Sequence, residues 1–475
     1  MSIAKESGAE SRMSRRQFVA GCAAAALYAA RASGGQQTTR PAVIDLPVMG
    51  EVKPRRGVDI AASPLSVGFE TLDRGHFEPE KTWPYMAELG VKWARCQTGW
   101  ARTERTRGEF DFAWLDEVVD PLRKMGIQPW FNLGYGNSLY TPGADKAAVG
   151  YVPLFSDDQV NAWLRYVGRI ADHYRNRVRH WEIWNEPNIT NFWKPRKPDP
   201  AEYVKLVRLT AAEIRQRIPD AVIIGGALAG IPMDYLRRCL DAGMGDHIDK
   251  LSYHPYRPVP EAGYDKEVAE MRRLLARCRR PVTLWQGENG CPSQQGGAGA
   301  LANLPWNETR QAKWLLRRIL TDLRLEIELT SYFLIVDLVG YRGSTNHKGL
   351  LRGTTYTPKP AYKAYQTLCA LFDADTKRAD LKARVHGAEG AHVADFVRNG
   401  LPLVAWWYPA NLLEPWEPRR VDVSFAMPQK ASGALAVIDP LAGTIHRVEG
   451  AEIAGDTVTV RRMPLLDYPL LLSCV

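Results

Sequence analysis

The seven cysteines of this 475-residue sequence include no Cys-x-x-C pair, which argues against a zinc knuckle or a dithiol redox centre. No apolar run reaches the roughly 20 residues that a membrane-spanning helix needs, so no integral span is expected once the leader described below is removed. No dense Lys/Arg block lies beyond the N-terminus, although the formal net charge is +9. A nucleic-acid partner therefore lacks its electrostatic footprint. Histidines number nine, and only His254 falls at the end of a predicted strand, so a clustered metal site is not expected. No other cofactor is expected either.

The apolar share of 45% and the charged share of 24% are those of a folded globular chain. Its first residues read as an export leader. Arg15 and Arg16 precede an Ala-rich apolar run, 18–30, which has the length of a signal core. Residues 1–32 thus resemble a twin-arginine signal that ends at the small-x-small site Ala30-Arg31-Ala32. Such a signal carries an already folded protein across the inner membrane, to the periplasm or beyond. A chain folded in a reducing compartment need not depend on disulfides. The leader holds five basic residues against two acids, so part of the net charge leaves with it. Residues 33–63, rich in Gly, Gln, Thr, Pro and Arg, read as a linker.

From residue 64, short β-branched runs alternate with longer amphipathic stretches, the pattern of parallel strands with helical crossovers. Eight strands are predicted, at 66–69, 91–96, 128–133, 181–184, 222–225, 251–253, 282–286 and 332–336. Helices between them include 157–174, opened by Ser156, and 201–217, opened by Asp199-Pro200. Eight such units between 64 and 371 predict a (β/α)8 TIM barrel. A dinucleotide-binding sheet would carry G-x-G-x-x-G after its first strand, and none stands there. From 372 to 475, short alternating runs separated by turn residues such as Asp439-Pro440 predict a C-terminal all-β sandwich.

One apolar strand ends in Trp184-Asn185-Glu186-Pro187, and another in Trp285-Gln286-Gly287-Glu288. Proline cannot join a strand ladder, so the first strand stops at Glu186. Both glutamates then lie at the C-terminal ends of strands, the fourth and the seventh, where barrel chemistry is done. Two carboxyl groups flanking one bond are what glycoside cleavage needs. They stand about 5–5.5 Å apart when configuration is retained and about 6.5–9.5 Å apart when it is inverted. The 15 Trp and 19 Tyr suit such a site, since flat rings stack on the C–H faces of sugars, although they also fill large cores.

The Asn before Glu186, the placement of Glu288, and Ser252-Tyr253-His254-Pro255-Tyr256 on the sixth strand together resemble glycoside hydrolase clan A over residues 64–370. Asn188 to Trp193, Lys194-Pro195, Asp199-Pro200 and Tyr203 resemble families 5 and 39 within it. The resemblance implies Glu186 as acid/base and Glu288 as nucleophile. It implies that Asn185 bonds the sugar 2-hydroxyl and that Arg95, ending the second strand, keeps Glu288 ionised. Tyr256 would donate to Glu288, and His254 would contact substrate or orient a carboxylate. Trp193 is expected as an aromatic platform, with Asn132, Tyr135 and Trp285 as further substrate contacts. Glu182, inside a strand, reads as structural. One departure stands out. The clan usually ends its eighth strand with a Trp beneath the reacting sugar, and Ser331-Tyr332-Phe333-Leu334-Ile335-Val336 holds none. Either another aromatic takes that place or the subsite is built differently.

The expected function is hydrolysis, by double displacement with retained configuration, of β-linked O-glycosidic bonds in a plant or microbial polysaccharide or oligosaccharide. Transglycosylation by the same residues is one alternative. A carbohydrate-binding protein without activity is another, and the two intact glutamates count against it.

Overall fold

The computed structural model describes residues 44–428 and 433–474; the expected leader, 1–32, lies outside them. From Leu46 onward the chain forms one compact unit. Its centre is a closed barrel of eight strands: β1 (Leu65–Gly68), β2 (Trp93–Gln97), β3 (Gln128–Leu133), β4 (His180–Ile183), β5 (Val222–Ala229), β6 (Lys250–His254), β7 (Thr283–Asn289) and β8 (Leu329–Tyr332). Closure is parallel, with Leu65 opposite Thr330.

Each strand is followed by a helix: α1 (Trp83–Leu89), α2 (Ala113–Lys124), α3 (Asp157–Tyr174), α4 (Pro200–Arg217), α5 (Met233–Asp241), α6 (Tyr264–Leu275), α7 (Glu308–Arg324) and α8 (Pro360–Leu371). The caps are those the sequence announces. Ser156 Oγ accepts from the Gln159 amide at the start of α3. Asp199 accepts from the Ala201 and Glu202 amides ahead of α4, with Pro200 in the first helical position, where its missing N–H costs nothing.

Trp130, Ile224, Trp285 and Leu329 fill the barrel, with Trp93 packed against them. These residues lie early in their strands, so the N-terminal half is solid core and the cavity is left to the opposite mouth.

The eighth strand differs from the prediction, which placed it at 332–336. The ladder ends at Tyr332, and the apolar run continues as a buried loop, Ile335 N–H bonding Gly68 O and Leu350 N–H bonding Leu334 O. Hydrophobicity alone does not separate a buried loop from a buried strand.

The C-terminal part forms antiparallel sheets of seven and four strands. Here the expected linker, 33–63, needs correction in its described part, which begins at residue 44. Val48–Glu51 is an edge strand of the larger sheet, paired with Thr444, Ile445 and His446. Its pairing runs through main-chain bonds, which leave no trace in side-chain composition. The barrel and the sheets are clamped by Arg317 on α7. Its Nη2 lies 2.6 Å from Glu261 Oε2, its Nη1 donates to Ala410 O at 2.6 Å, and Trp407 Nε1 reaches Glu261 Oε1 at 2.7 Å. The six described cysteines are unpaired, and no described helix is long and apolar enough to cross a membrane.

Candidate active site

A cavity of about 490 Å³ opens at the C-terminal mouth of the barrel, and both Glu186 and Glu288 line it. Glu186 is aimed there by a sharp elbow after β4. Trp184 and Glu186 have φ of 69° and 47°, a left-handed conformation that costs a side-chain-bearing residue roughly 1–2 kcal/mol. The elbow is held from several directions. Trp184 Nε1 donates to Phe192 O at 2.7 Å, Glu186 N–H donates to Ala227 O at 2.8 Å, and the Asn188 amide makes two 2.9 Å bonds to the Ala229 backbone. On β7, glycine at 287 is a packing requirement, because a Cβ there would run into Ser252 Oγ.

One oxygen of Glu186, one of Glu288 and a ring nitrogen of His254 lie within 4.8 Å of one another. His254 Nδ1 is 3.1 Å from Glu186 Oε1 and 3.8 Å from Glu288 Oε2. Both oxygens of Glu288 receive donors, Tyr256 O–H at 2.9 Å and Arg95 Nη1 at 2.7 Å. Burial alone would raise the Glu288 pKa; His254, Arg95 and the Tyr256 hydrogen bond outweigh it, and the carboxyl is held below its usual range. Conversely, burial and the adjacent Glu288 push the Tyr256 phenol upward, so it stays a donor. Glu186, His254 and Glu288 are, among the described residues, the group spaced to hold a metal ion. Donors of the protein already occupy both Glu288 oxygens, an arrangement suited to a nucleophile.

Arg95 organises the floor. It is completely buried and bonds Glu182 Oε2 through Nε (2.8 Å) and Nη2 (2.5 Å), and Asn185 Oδ1 through Nη2 (2.9 Å). That fixes Asn185 at the cavity edge beside Glu186.

Arg95, Asn185, Glu186, His254, Tyr256 and Glu288 therefore meet, and Tyr135 borders the same cavity. Three other expected contacts do not reach it. Trp193 is fully buried, edge-on to Trp184 and Tyr203, with Nε1 on Glu202; its neighbour Phe192 faces the cavity instead. Trp285 belongs to the barrel core, three residues before Glu288 on the same strand. Asn132 is spent on Glu182 Oε2 (2.9 Å) and Trp184 O (2.6 Å), so it supports the elbow from below.

The structure adds residues that the sequence reading missed: Glu70 after β1, Phe333 after β8, and Lys348. Phe333 stands where the eighth strand delivers its aromatic. Burial lowers the Lys348 pKa to about 8, against the pull of Cys291 and Glu288. A single Glu, Phe or Lys in a loop carries no spacing signal.

A (β/α)8 barrel with one glutamate just after β4 and another on β7, both lining the cavity at its mouth, defines the class of the glycoside hydrolases. The profile "Glycosyl hydrolases family 39" matches residues 87–386, and the chain belongs to that family. A beta-xylosidase of Geobacillus stearothermophilus is 27% identical over 158 residues, 31% of each chain. Another, of Caldicellulosiruptor saccharolyticus, is 23% identical over 316 residues, 59% of this chain and 62% of the relative. The matches thus span less than two thirds of either relative. Among solved structures, a family 39 glycoside hydrolase from Bacteroides cellulosilyticus WH2 superposes with a TM-score of 0.65 at 20% identity, over 87% of this chain and 81% of the other. A monomeric beta-xylosidase from Caulobacter crescentus CB15 gives 0.59 at 18%, over 90% and 98%. These structures share the fold.

Proposed function

We propose that the chain is a retaining glycosidase that cleaves β-linked O-glycosidic bonds of an oligosaccharide or polysaccharide by double displacement. The carrying observation is the approach of Glu186 and Glu288 oxygens to within 4.8 Å, nearer the retaining separation than the roughly 6.5–9.5 Å that admits a water between the carboxyls. Ionised Glu288 attacks the anomeric carbon as the bond to the leaving oxygen breaks, and Glu186 gives that oxygen its proton. A glycosyl ester on Glu288 results, with no charge on the nucleophile. Glu186 then takes a proton from water, the water oxygen bonds the anomeric carbon, and Glu288 departs as carboxylate. Two inversions return the original configuration. Arg95 and Tyr256 fix the attacking carboxylate, and Asn185 meets the 2-hydroxyl, a contact that strengthens in the transition state.

The similarity to proteins named beta-xylosidases makes aryl β-xylosides the first substrates to try. Proton NMR of the earliest product tests the stereochemistry. The β-anomer should appear first and then mutarotate; first appearance of the α-anomer rejects double displacement. We also propose that residues 1–32 export the folded protein to the periplasm or beyond. Arg15→Lys with Arg16→Lys should leave it in the cytoplasm, and undiminished export of that variant rejects the assignment.

A further inference from the structure

We infer that Glu70 is a third working carboxyl of the cavity: a neutral acid whose O–H bonds the 3- or 4-hydroxyl of the sugar that Glu288 attacks. This rests on the glycosidase reading above and specifies how its sugar is recognised.

Glu70 borders the cavity two residues beyond β1. Its Oε2 lies 3.1 Å from Arg95 Nη1, the same nitrogen that reaches Glu288 Oε2 at 2.7 Å. Its Oε1 is buried without any hydrogen-bond partner. A buried, unsatisfied oxygen costs roughly 1–3 kcal/mol and more when charged, so its persistence beside a ligand cavity points to a ligand that completes it.

Charge accounting locates the proton. One guanidinium faces Glu182, Glu70 and Glu288, and even with His254 beside Glu288 three ionised carboxyls there would leave a buried excess of negative charge. Glu182 Oε2 accepts from two Arg95 nitrogens and from Asn132. Glu288 accepts from Arg95 and Tyr256. Glu70 has only its share of an Nη1 already committed to Glu288. It is therefore the carboxyl that keeps its proton, and burial with repulsion from Glu288 and Glu182 raises its pKa to about 8 despite Arg95. In the neutral form Oε2 accepts from Arg95, while Oε1, which no group of the protein bonds, carries the proton and needs an acceptor.

The ring supplies that acceptor. With the anomeric carbon at Glu288 and the 2-hydroxyl at Asn185, which is bonded to the other Arg95 nitrogen, the remaining ring hydroxyls are those left to meet Glu70. Gln97, a neighbouring polar side chain, has its Oε1 taken by the Thr71 amide and Arg74 and its Nε2 by the Tyr135 hydroxyl.

The test compares kcat/KM for an aryl glycoside and its 3-deoxy and 4-deoxy analogues, in wild type and Glu70→Ala. Removing either partner alone should cost about 10- to 100-fold, the range of one buried hydrogen bond. Removing both should cost little more than removing one, for one of the two analogues. Multiplicative losses with both analogues overturn the inference. If the wild type cleaves no glycoside, the glycosidase reading fails, and Glu70 is still judged separately. In a carbon-13 carboxyl titration, the glutamate signal that disappears in Glu70→Gln should titrate near 8, and titration near the ordinary 4.5 overturns the neutral donor. That measurement also stands if Glu70→Ala does not fold, because Gln keeps the shape and a donor.

Discussion

Arg95 brings a single positive charge to Glu70, Glu182 and Glu288, and the three carboxyls share it. Removing it strands Glu182 in the interior. Arg95→Met should cost about 3–5 kcal/mol in denaturant unfolding and end activity. The raised pKa of Glu70 also carries a stability consequence. Between the unfolded value of 4.5 and the folded value of about 8, the native state holds a proton that the unfolded chain has released. This contribution is fully present below 4.5 and is lost as pH rises towards 8. Denaturation of Glu70→Gln across that window should lack this decline, so the variant gains on wild type with rising pH; parallel curves contradict the assignment. At Glu186, substitution by Ala should slow substrates with poor leaving groups by about 10²–10⁴-fold and activated dinitrophenyl glycosides far less, as steady-state rates with both will show. That Glu186 and Glu288 line the cavity was legible because each closes a strongly apolar run. Glu70 was not, because its role comes from sharing Arg95 with partners distant in sequence.

The β4 elbow is the element on which the site depends. It places two non-glycine residues, Trp184 and Glu186, at positive φ, so function is placed on a conformation that glycine would adopt more readily. Glu186→Gly should therefore melt higher than wild type while losing general acid catalysis, the expected exchange of stability for activity. A lower melting temperature in calorimetry would contradict this account of the elbow. The same element explains why Trp193 was misread: a Trp in a loop after the acid suggests a sugar platform, yet the elbow turns Phe192 to the cavity and Trp193 under Trp184. β3, β5 and β7 were recognisable by their runs of apolar residues bounded by turns. β8 was shifted because Leu334, Ile335 and Val336 are buried without being in the ladder.

At the scale of the whole molecule, α7 presents Arg317 to Glu261, which also receives Trp407 from the larger sheet. The barrel thus has a buried charged face that the sheets cover. A chain ending at residue 371 exposes it, and should aggregate or melt without cooperativity; a soluble barrel with the melting temperature of the full chain contradicts this. Barrel and sandwich were both readable from alternation, whereas the edge strand Val48–Glu51 was not, since its bonds are main-chain. All of this scaffolding serves to bring two residues 102 positions apart in sequence to one cavity. The decisive measurement is mass spectrometry after incubation with a slowly turned-over 2-deoxy-2-fluoro aryl β-glycoside. A single fluoroglycosyl adduct on the peptide containing Glu288, absent in Glu288→Gln, is the predicted result; an adduct on another residue, or turnover with inverted product and no adduct, contradicts it.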